Sequence, residues 1–392
     1  MWLIKEETLL FKKITQKAFD INGDGKIDFQ DFKAIFTGER YYKKSTLEQM
    51  SHRVKEIWTT NKHHFDVLAV NIKARQKTSR SFINKLLARH ERKVEIVILR
   101  LLEQFNDKEL EFYRDDFDFI TKKIQSIDKN IAQLKANSIL EGENKYISSI
   151  ERFQVKKTEL TSLQEKALSF FRERFEVYGI DLTDEHTRAL VSRCDAHEHS
   201  QMISVFYLIT SMVEQISLAL NESQDDLDLS KKYYSIFIGL LEIQLLIQKN
   251  YFAKVDKIFL PNLIKIQSES SLLLKETEKL KKSANLSHID SYDQNINSQK
   301  VTIEVANLYM DILKKERESI VKASNLVKQR HGLALNTLAT VSITAELSSL
   351  IKKSDQMFLE VMDLQTPEFQ VFHNQMMHDE FVKMSARIRG SN

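Results

Sequence analysis

The chain has 392 residues, and its net charge of +3 predicts no general attraction to nucleic acid. One cysteine excludes an intrachain disulfide framework and is typical of a reducing compartment, so we expect a cytoplasmic protein. Only eight Gly and two Pro occur in a chain that is 42% hydrophobic, which favours long helices around a buried core. The most apolar runs, 202–213 and 236–247, are shorter than the roughly 20 residues that cross a bilayer.

The stretch DINGDGKIDFQD, residues 20–31, places oxygen-bearing side chains at regular intervals in a glycine-containing turn. Gly25 stands where such a loop turns sharply, and Ile27 occupies an apolar position within it. Apolar residues at helical spacing precede and follow the loop. The predicted metal ligands are Asp20, Asn22, Asp24, Lys26 through its backbone carbonyl, Asp28 and Asp31.

Residues 8–37 therefore resemble the EF-hand family, which implies a helix–loop–helix that binds Ca²⁺. The loop closes with Asp31, where the family usually has Glu; dockerin-like bacterial loops also end in Asp. The shorter side chain of Asp predicts weaker Ca²⁺ binding and greater tolerance of Mg²⁺. No second loop passes the same test, although EF-hands normally pair. Another chain or the helical body must then cover Ile27 and the neighbouring phenylalanines. The alternative is a polar helix–turn–helix without an ion.

After this module, residues 1–38, the remaining 39–392 are predicted to form an elongated bundle of antiparallel coiled-coil hairpins, with sub-boundaries near residues 142, 180, 225 and 290. One apolar stripe begins at Ile120 and a second begins at Tyr146, on either side of a turn near Gly142. A third is Phe259, Leu263, Ile266, Leu273 and Leu280. Residues 283–299 are predicted as an exposed loop before one long helix and a short terminal helix. A parallel homodimeric coiled coil is the alternative.

Thr183 is predicted to cap a helix, and the two apolar runs are expected to pack together at the core. Residues 43–93 carry thirteen Lys and Arg against four Asp and Glu, and we expect acidic residues of 106–118 and near 225 to pair with them. Cys194, His197 and Glu198 share a helical face but are too few for a zinc site, and His199 lies off that face. His373, Met376 and Met377 are the residues of a weaker soft-metal hypothesis.

No phosphate-binding glycine loop, nucleophile elbow or H-E-x-x-H motif is visible, and we expect no enzyme and no small-molecule substrate. The sequence predicts a Ca²⁺- or Mg²⁺-binding scaffold or adaptor, with a protein partner or self-association. Its alternatives are a structural ion staple without regulation, or a peripheral protein on an anionic membrane surface; nucleic acid is not an expected partner. Residues 340–372 are also faintly similar to helical proteins of bacterial toxic-anion resistance clusters.

Overall fold

The computed structural model describes residues 53–79, 84–141, 146–178, 180, 182–222, 227–283, 289–340, 347, 349–351, 360–361 and 374–390. The predicted metal-binding loop, residues 20–31, lies outside these ranges. Every regular element in the described part is helical, which confirms the all-α class. After a first helical segment, 53–60, the helices are α1 (Lys62–Ser79), α2 (Asn84–Phe105), α3 (Lys108–Glu141), α4 (Ile147–Glu176), α5 (Asp184–Ser192), α6 (Ala196–Glu222), α7 (Leu227–Lys254), α8 (Leu260–Lys282), α9 (Ile289–Thr340) and α10 (Gln375–Gly390).

The main core surrounds α7, whose residues 234–241 are buried without interruption. The helices α1, α6 and α9 pack around it, so the prediction that the two apolar runs meet is confirmed. The approach of α1 is very close, because a Cβ added to Gly239 would lie 2.4 Å from Cδ2 of Leu68. Among the described residues, no helix is both long and apolar enough to span a membrane.

A π-helical turn, Val255–Phe259, joins α7 to α8, and Pro261 stands at the start of α8. The wider turn accommodates a proline that cannot donate a backbone hydrogen bond. The stripe predicted on this helix is buried only at its beginning, since Leu263 and Ile266 are covered while Leu273 and Leu280 are about half exposed. The predicted seam is therefore wrong beyond Ile266.

The loop predicted for 283–299 is wrong from Ile289 onward, because α9 begins there. Asn, Ser and Asp are weak helix formers, which is why the sequence suggested a loop. Pairing with α8 supports them: Lys281 binds Asp293, and Gln299 Nε2 donates to Thr277 Oγ1 over 3.0 Å. The two helices consequently extend side by side in opposite directions.

The helices α3 and α4 form an antiparallel pair, which we call the hairpin. Lys157 Nζ binds Asp128 over 2.6 Å, and Gln164 Nε2 donates to Thr121 over 2.7 Å. The later residue of α4 thus contacts the earlier residue of α3, as in an antiparallel pair. Where the hairpin meets the bundle, a second core forms around Phe171 and Phe175. The next helix, α5, begins as predicted, because Thr183 Oγ1 accepts a hydrogen bond from His186 N.

Candidate functional site

The predicted ligands Asp20, Asn22, Asp24, Lys26, Asp28 and Asp31 lie outside the described residues, so this site stays a prediction. In the described part, the structure brings together a different set of charged groups. Arg193, Asp195 and His199 come from the junction of α5 and α6, and Glu316 comes from the middle of α9. We call these four residues the Arg193 network. All four are buried, with 0% exposure for Asp195 and His199.

Local structure positions each of the four side chains. Arg193 follows the last residue of α5, and Asp195 immediately precedes α6, where a carboxylate faces the positive end of the helix. One turn into α6, His199 N donates to Asp195 O, which brings the imidazole beside the same carboxylate. Glu316 lies between Leu313 and Ile320 on the buried stripe of α9, so helical periodicity carries its carboxylate inward.

The guanidinium of Arg193 lies between the two carboxylates. Its Nε and Nη2 donate to Asp195 over 2.9 and 2.8 Å, and its Nη1 donates to Glu316 Oε1 over 2.7 Å. Nε2 of His199 is 3.1 Å from Asp195 Oδ2 and 3.2 Å from Glu316 Oε2. Tyr251 Oη of α7 approaches the same carboxylate of Asp195 over 3.4 Å. Three long helices thus converge on one polar point.

Electrostatic interactions favour the charged forms of all four groups. Burial would raise the pKa of both carboxyls, but Arg193 and His199 outweigh it and hold the pKa of Asp195 and Glu316 below their ordinary values. Burial would lower the pKa of His199, but Glu316 and Asp195 outweigh it and raise that pKa to about 9. Two positive and two negative groups therefore balance one another inside the bundle.

Asp195, His199 and Glu316 each offer a metal-ligating atom, and these atoms lie within 4.8 Å of one another. The set nevertheless fits a divalent ion poorly. A metal needs the lone pair of His199 Nε2 and carboxylate oxygens, but Nε2 lies within 3.2 Å of both carboxylates and Arg193 donates to both of them. The guanidinium supplies the positive charge that an ion would bring. The four side chains therefore engage one another without a metal, although His199 Nδ1 is buried and has no hydrogen-bond partner among the described residues.

The surroundings of the network connect it to α10. Tyr309 Oη of α9 accepts a hydrogen bond from Cys194 N, and Ser385 of α10 reaches the same hydroxyl over 3.5 Å. Arg389 Nη1 donates to the backbone oxygens of Val191 and Arg193 over 3.0 and 2.8 Å. Burial raises the pKa of the Cys194 thiol, so this cysteine stays protonated and unreactive.

A second charged cluster lies at the turn between α2 and α3, and we call it the Asp107 clasp. The Asp107 carboxylate is buried and binds Arg53 over 3.3 Å, Arg174 over 2.7 Å, and the hydroxyl of Tyr178. It also caps α3, because Glu109 N donates to Oδ1 over 3.0 Å. Burial would raise the pKa of Asp107, but Arg53, Tyr178 and Arg174 together lower it.

The clasp joins the beginning of the described chain to the hairpin. Arg53 is the first described residue, and its guanidinium also donates to the backbone oxygens of Phe105 and Asn106, over 3.4 and 3.2 Å. Arg174 belongs to α4. The clasp therefore ties the first described residue to both the α2–α3 turn and α4.

The structure separates the residues of the zinc hypothesis. Cys194 is buried beside Tyr309, Glu198 binds Lys254 over 2.5 Å, and Nδ1 of His197 lies 3.9 Å from Glu111. His199, which the sequence argument set aside, is the residue that meets other charged groups. His373 of the soft-metal hypothesis lies outside the described residues, and Met376 is half exposed.

Part of the basic segment is self-paired, as predicted. Lys73 Nζ binds Asp228 Oδ1 over 2.9 Å, which uses an acidic residue close to the turn near 225. Arg75 binds Glu242, and His331 Nε2 lies 2.8 Å from the same carboxylate. Arg53 reaches Asp107 within the acidic stretch 106–118. These positive charges have intramolecular partners.

Comparisons with protein-family models, with curated protein sequences and with solved structures find no match to this chain.

Proposed function

We propose that this protein is a Ca²⁺- or Mg²⁺-binding helical scaffold, in which an N-terminal EF-hand-like module modulates a protein interaction of the body. The observation that carries the proposal is the ordered series of oxygen donors from Asp20 to Asp31, around a glycine where the loop must turn. A hard cation prefers such a set of carboxylate, amide and backbone oxygens. The closing Asp31 admits Mg²⁺ as well as Ca²⁺.

The described body supports a scaffold rather than a reaction site. Its largest buried charges neutralise one another, and its one cysteine is protonated and covered. A cavity beside Asp107 and His197 has room for about one water molecule, which is too small for a substrate. We propose a body without enzymatic activity, and we interpret it as antiparallel coiled-coil hairpins on a central bundle.

The Asp107 clasp supplies a physical connection between the module and the body. Arg53 follows the predicted loop by 22 residues, from 31 to 53, and its guanidinium is held by Asp107 and by two backbone oxygens of the α2–α3 turn. A change in the module can therefore reach the base of the hairpin through one short linker. This contact motivates the regulatory form of the proposal.

Isothermal titration of the full chain with Ca²⁺ and with Mg²⁺ tests the ion site. We expect one site per chain in the wild type and none in a double variant, Asp20→Ala with Asp24→Ala, because two of the charged ligands are lost. Lys5→Ala with Lys12→Ala is the matched control, since it changes two charges of the same module outside the loop. Equal heats from the wild type and the loop variant would contradict the proposal.

A structural ion staple is the second candidate, and the firm anchoring of Arg53 favours it. The two candidates differ in what the ion changes. Capture of partners from a lysate with Ca²⁺ or with chelator, read by quantitative mass spectrometry, should differ for a regulatory module. If chelator lowers the melting temperature while the captured proteins stay the same, the staple is correct.

A further inference from the structure

The hairpin exposes four large apolar side chains along one stripe, which we call the hairpin strip: Phe112, Phe119, Leu163 and Phe170. Their exposed fractions lie between 46% for Phe170 and 59% for Phe112, which is high for apolar side chains of this size. Tyr113 joins the two helices of the strip, because its ring stacks on Phe170 at 5.3 Å and meets Phe112 edge-on at 5.5 Å. These contacts connect the strip across the hairpin at Phe112 and Phe170.

Helical spacing places these side chains on one side. Phe119 follows Phe112 by seven residues, and Phe170 follows Leu163 by seven, so each pair occupies the same stripe of its helix. The other side of the hairpin is covered. There Asp118 binds Arg389 of α10 over 2.6 Å, and Glu165 and Arg172 bind α5. In the described structure the strip faces away from α5 and α10.

The size of the strip argues for a tethered occupant. If a large apolar side chain offers about 200 Å² in full, the strip exposes roughly 400 Å². This is about half of the roughly 800 Å² that each partner buries in a stable interface between separate molecules. A segment of the same chain avoids most of the association cost, because a short linker keeps it at an effective concentration near the millimolar range. The strip therefore suits part of this chain better than a second copy.

The N-terminal module is the segment that ends at the right place. Arg53 is held at the α2–α3 turn, and Phe112 follows Asp107 by five residues, about 8 Å along α3. The linker 38–52 can extend up to about 50 Å, so the module can reach every residue of the strip. The module also needs a cover, because a single EF-hand-like unit leaves apolar residues without a paired unit. These residues are Ile27, Phe29, Phe32, Ile35 and Phe36.

We propose that residues 8–37 dock through these apolar residues onto the hairpin strip, which takes the place of the second EF-hand. The inference rests on the proposed function for the fold of the module, and it adds where the module binds. Ion binding in the loop then orders two helices whose apolar faces fit the strip, so that ion affinity and docking support each other.

A photo-cross-linking experiment on the full chain tests the docking directly. A benzophenone-bearing phenylalanine analogue replaces Phe119, and in a control chain it replaces Val155, which is 61% exposed on the same hairpin but off the strip. At micromolar protein with Ca²⁺, we expect the probe at position 119 to join peptides of residues 8–37 within single chains. The probe at position 155 should not. Products of doubled mass, or equal yields from both positions, would overturn the proposal.

A second measurement uses substitutions that leave the buried cores unchanged. Phe112→Ser with Phe170→Ser should raise the rate of tryptic cleavage within residues 1–52 about tenfold, since cleavage follows the population of the undocked form. Val70→Ser with Leu272→Ser is the matched control, because both residues are at least 65% exposed elsewhere on the body. An unchanged cleavage rate in the strip variant would contradict docking.

Calcium titration of the same chains separates this inference from the proposed function. Ion binding without cross-links from position 119 refutes docking and leaves the ion site intact. Cross-links to residues 8–37 without any measurable ion binding support docking and refute the metal-responsive function.

Discussion

The Arg193 network and the Asp107 clasp both bury carboxylates, but they are balanced in different ways. In the network, two carboxylates face one arginine and one protonated histidine, and Asp195 and His199 are fully enclosed. In the clasp, one buried carboxylate faces two arginines whose side chains are 18% exposed. The first cluster is enclosed, whereas the second reaches solvent, where Glu109 also binds Arg174 over 3.1 Å and balances its charge.

This difference indicates two structural roles. A fully buried ion pair is stable only if every charge is matched, and removal of one partner leaves an uncompensated charge in a medium of low dielectric constant. The network therefore fixes how α6, α7 and α9 meet. Water solvates part of both arginines of the clasp, so the loss of one partner there leaves charges that solvent still reaches. The predictions below test this distinction.

The largest expected effect comes from Arg193→Met. The substitution keeps much of the side-chain volume but leaves Asp195 and Glu316 with only His199 as a positive partner. We expect the free energy of unfolding to fall by about 3–5 kcal/mol. Urea denaturation followed by circular dichroism measures it. A loss below about 1 kcal/mol would show that the network does not hold the bundle together.

The next effect concerns pH. The pKa of His199 in the folded protein is about 9, above its ordinary value of 6.5. Its contribution to the stability of the fold is therefore complete below pH 6.5 and is lost as pH rises toward 9. We expect the free energy of unfolding to fall by on the order of 2 kcal/mol between pH 6.5 and pH 8.5. In His199→Gln the decline over this window should disappear. The same slope in both chains would assign the pH dependence to another group.

A smaller loss is expected for Asp107→Asn. Asn keeps the shape of the side chain and can still cap α3, but it removes the negative charge that Arg53 and Arg174 share. Because both arginines are partly solvated, we expect the free energy of unfolding to fall by about 1–2 kcal/mol, which is less than for Arg193→Met. Thermal melts of both variants provide the comparison. A larger loss at Asp107 than at Arg193 would reverse the roles assigned to the two clusters.

The smallest effect is expected for Arg317→Met, which is the matched control for Arg193→Met. Arg317 also donates two hydrogen bonds to one carboxylate, to Asp256 over 2.7 and 2.8 Å, but its side chain is 37% exposed. Solvent screens this pair, so the loss should stay below about 1 kcal/mol. Equal losses from the two substitutions would show that burial does not determine the worth of these ion pairs.

Periodicity and composition were sufficient for much of the fold. The helical class, the meeting of the two apolar runs and the cap at Thr183 follow from local patterns, and the structure confirms them. The wrong predictions concern residues whose helical structure or burial depends on tertiary contacts. Polar residues from Ile289 onward are helical because α8 pairs with them, and Leu280 is half exposed although its spacing matches that of a core residue.

The Arg193 network shows what one sequence cannot specify. Glu316 is separated from Asp195 by 121 residues, and nothing in either segment identifies the other as its partner. The sequence does indicate that Glu316 and His199 are buried, because each lies on the apolar stripe of its helix. Glu316 interrupts the stripe between Leu313 and Ile320, and His199 precedes Met202 and Phe206 at helical spacing. A charged residue on an apolar stripe predicts burial with a partner, although it does not name that partner.

Metal stoichiometry in three chains tests most directly the central claim that the ion belongs to the N-terminal loop and not to the buried network. The wild type, Asp20→Ala with Asp24→Ala, and His199→Gln are dialysed against Ca²⁺ and measured by elemental mass spectrometry, with circular dichroism as the folding control. We predict one ion per chain in the wild type and in His199→Gln, and none in the loop variant. Loss of the ion from His199→Gln with retention in the loop variant would contradict the account.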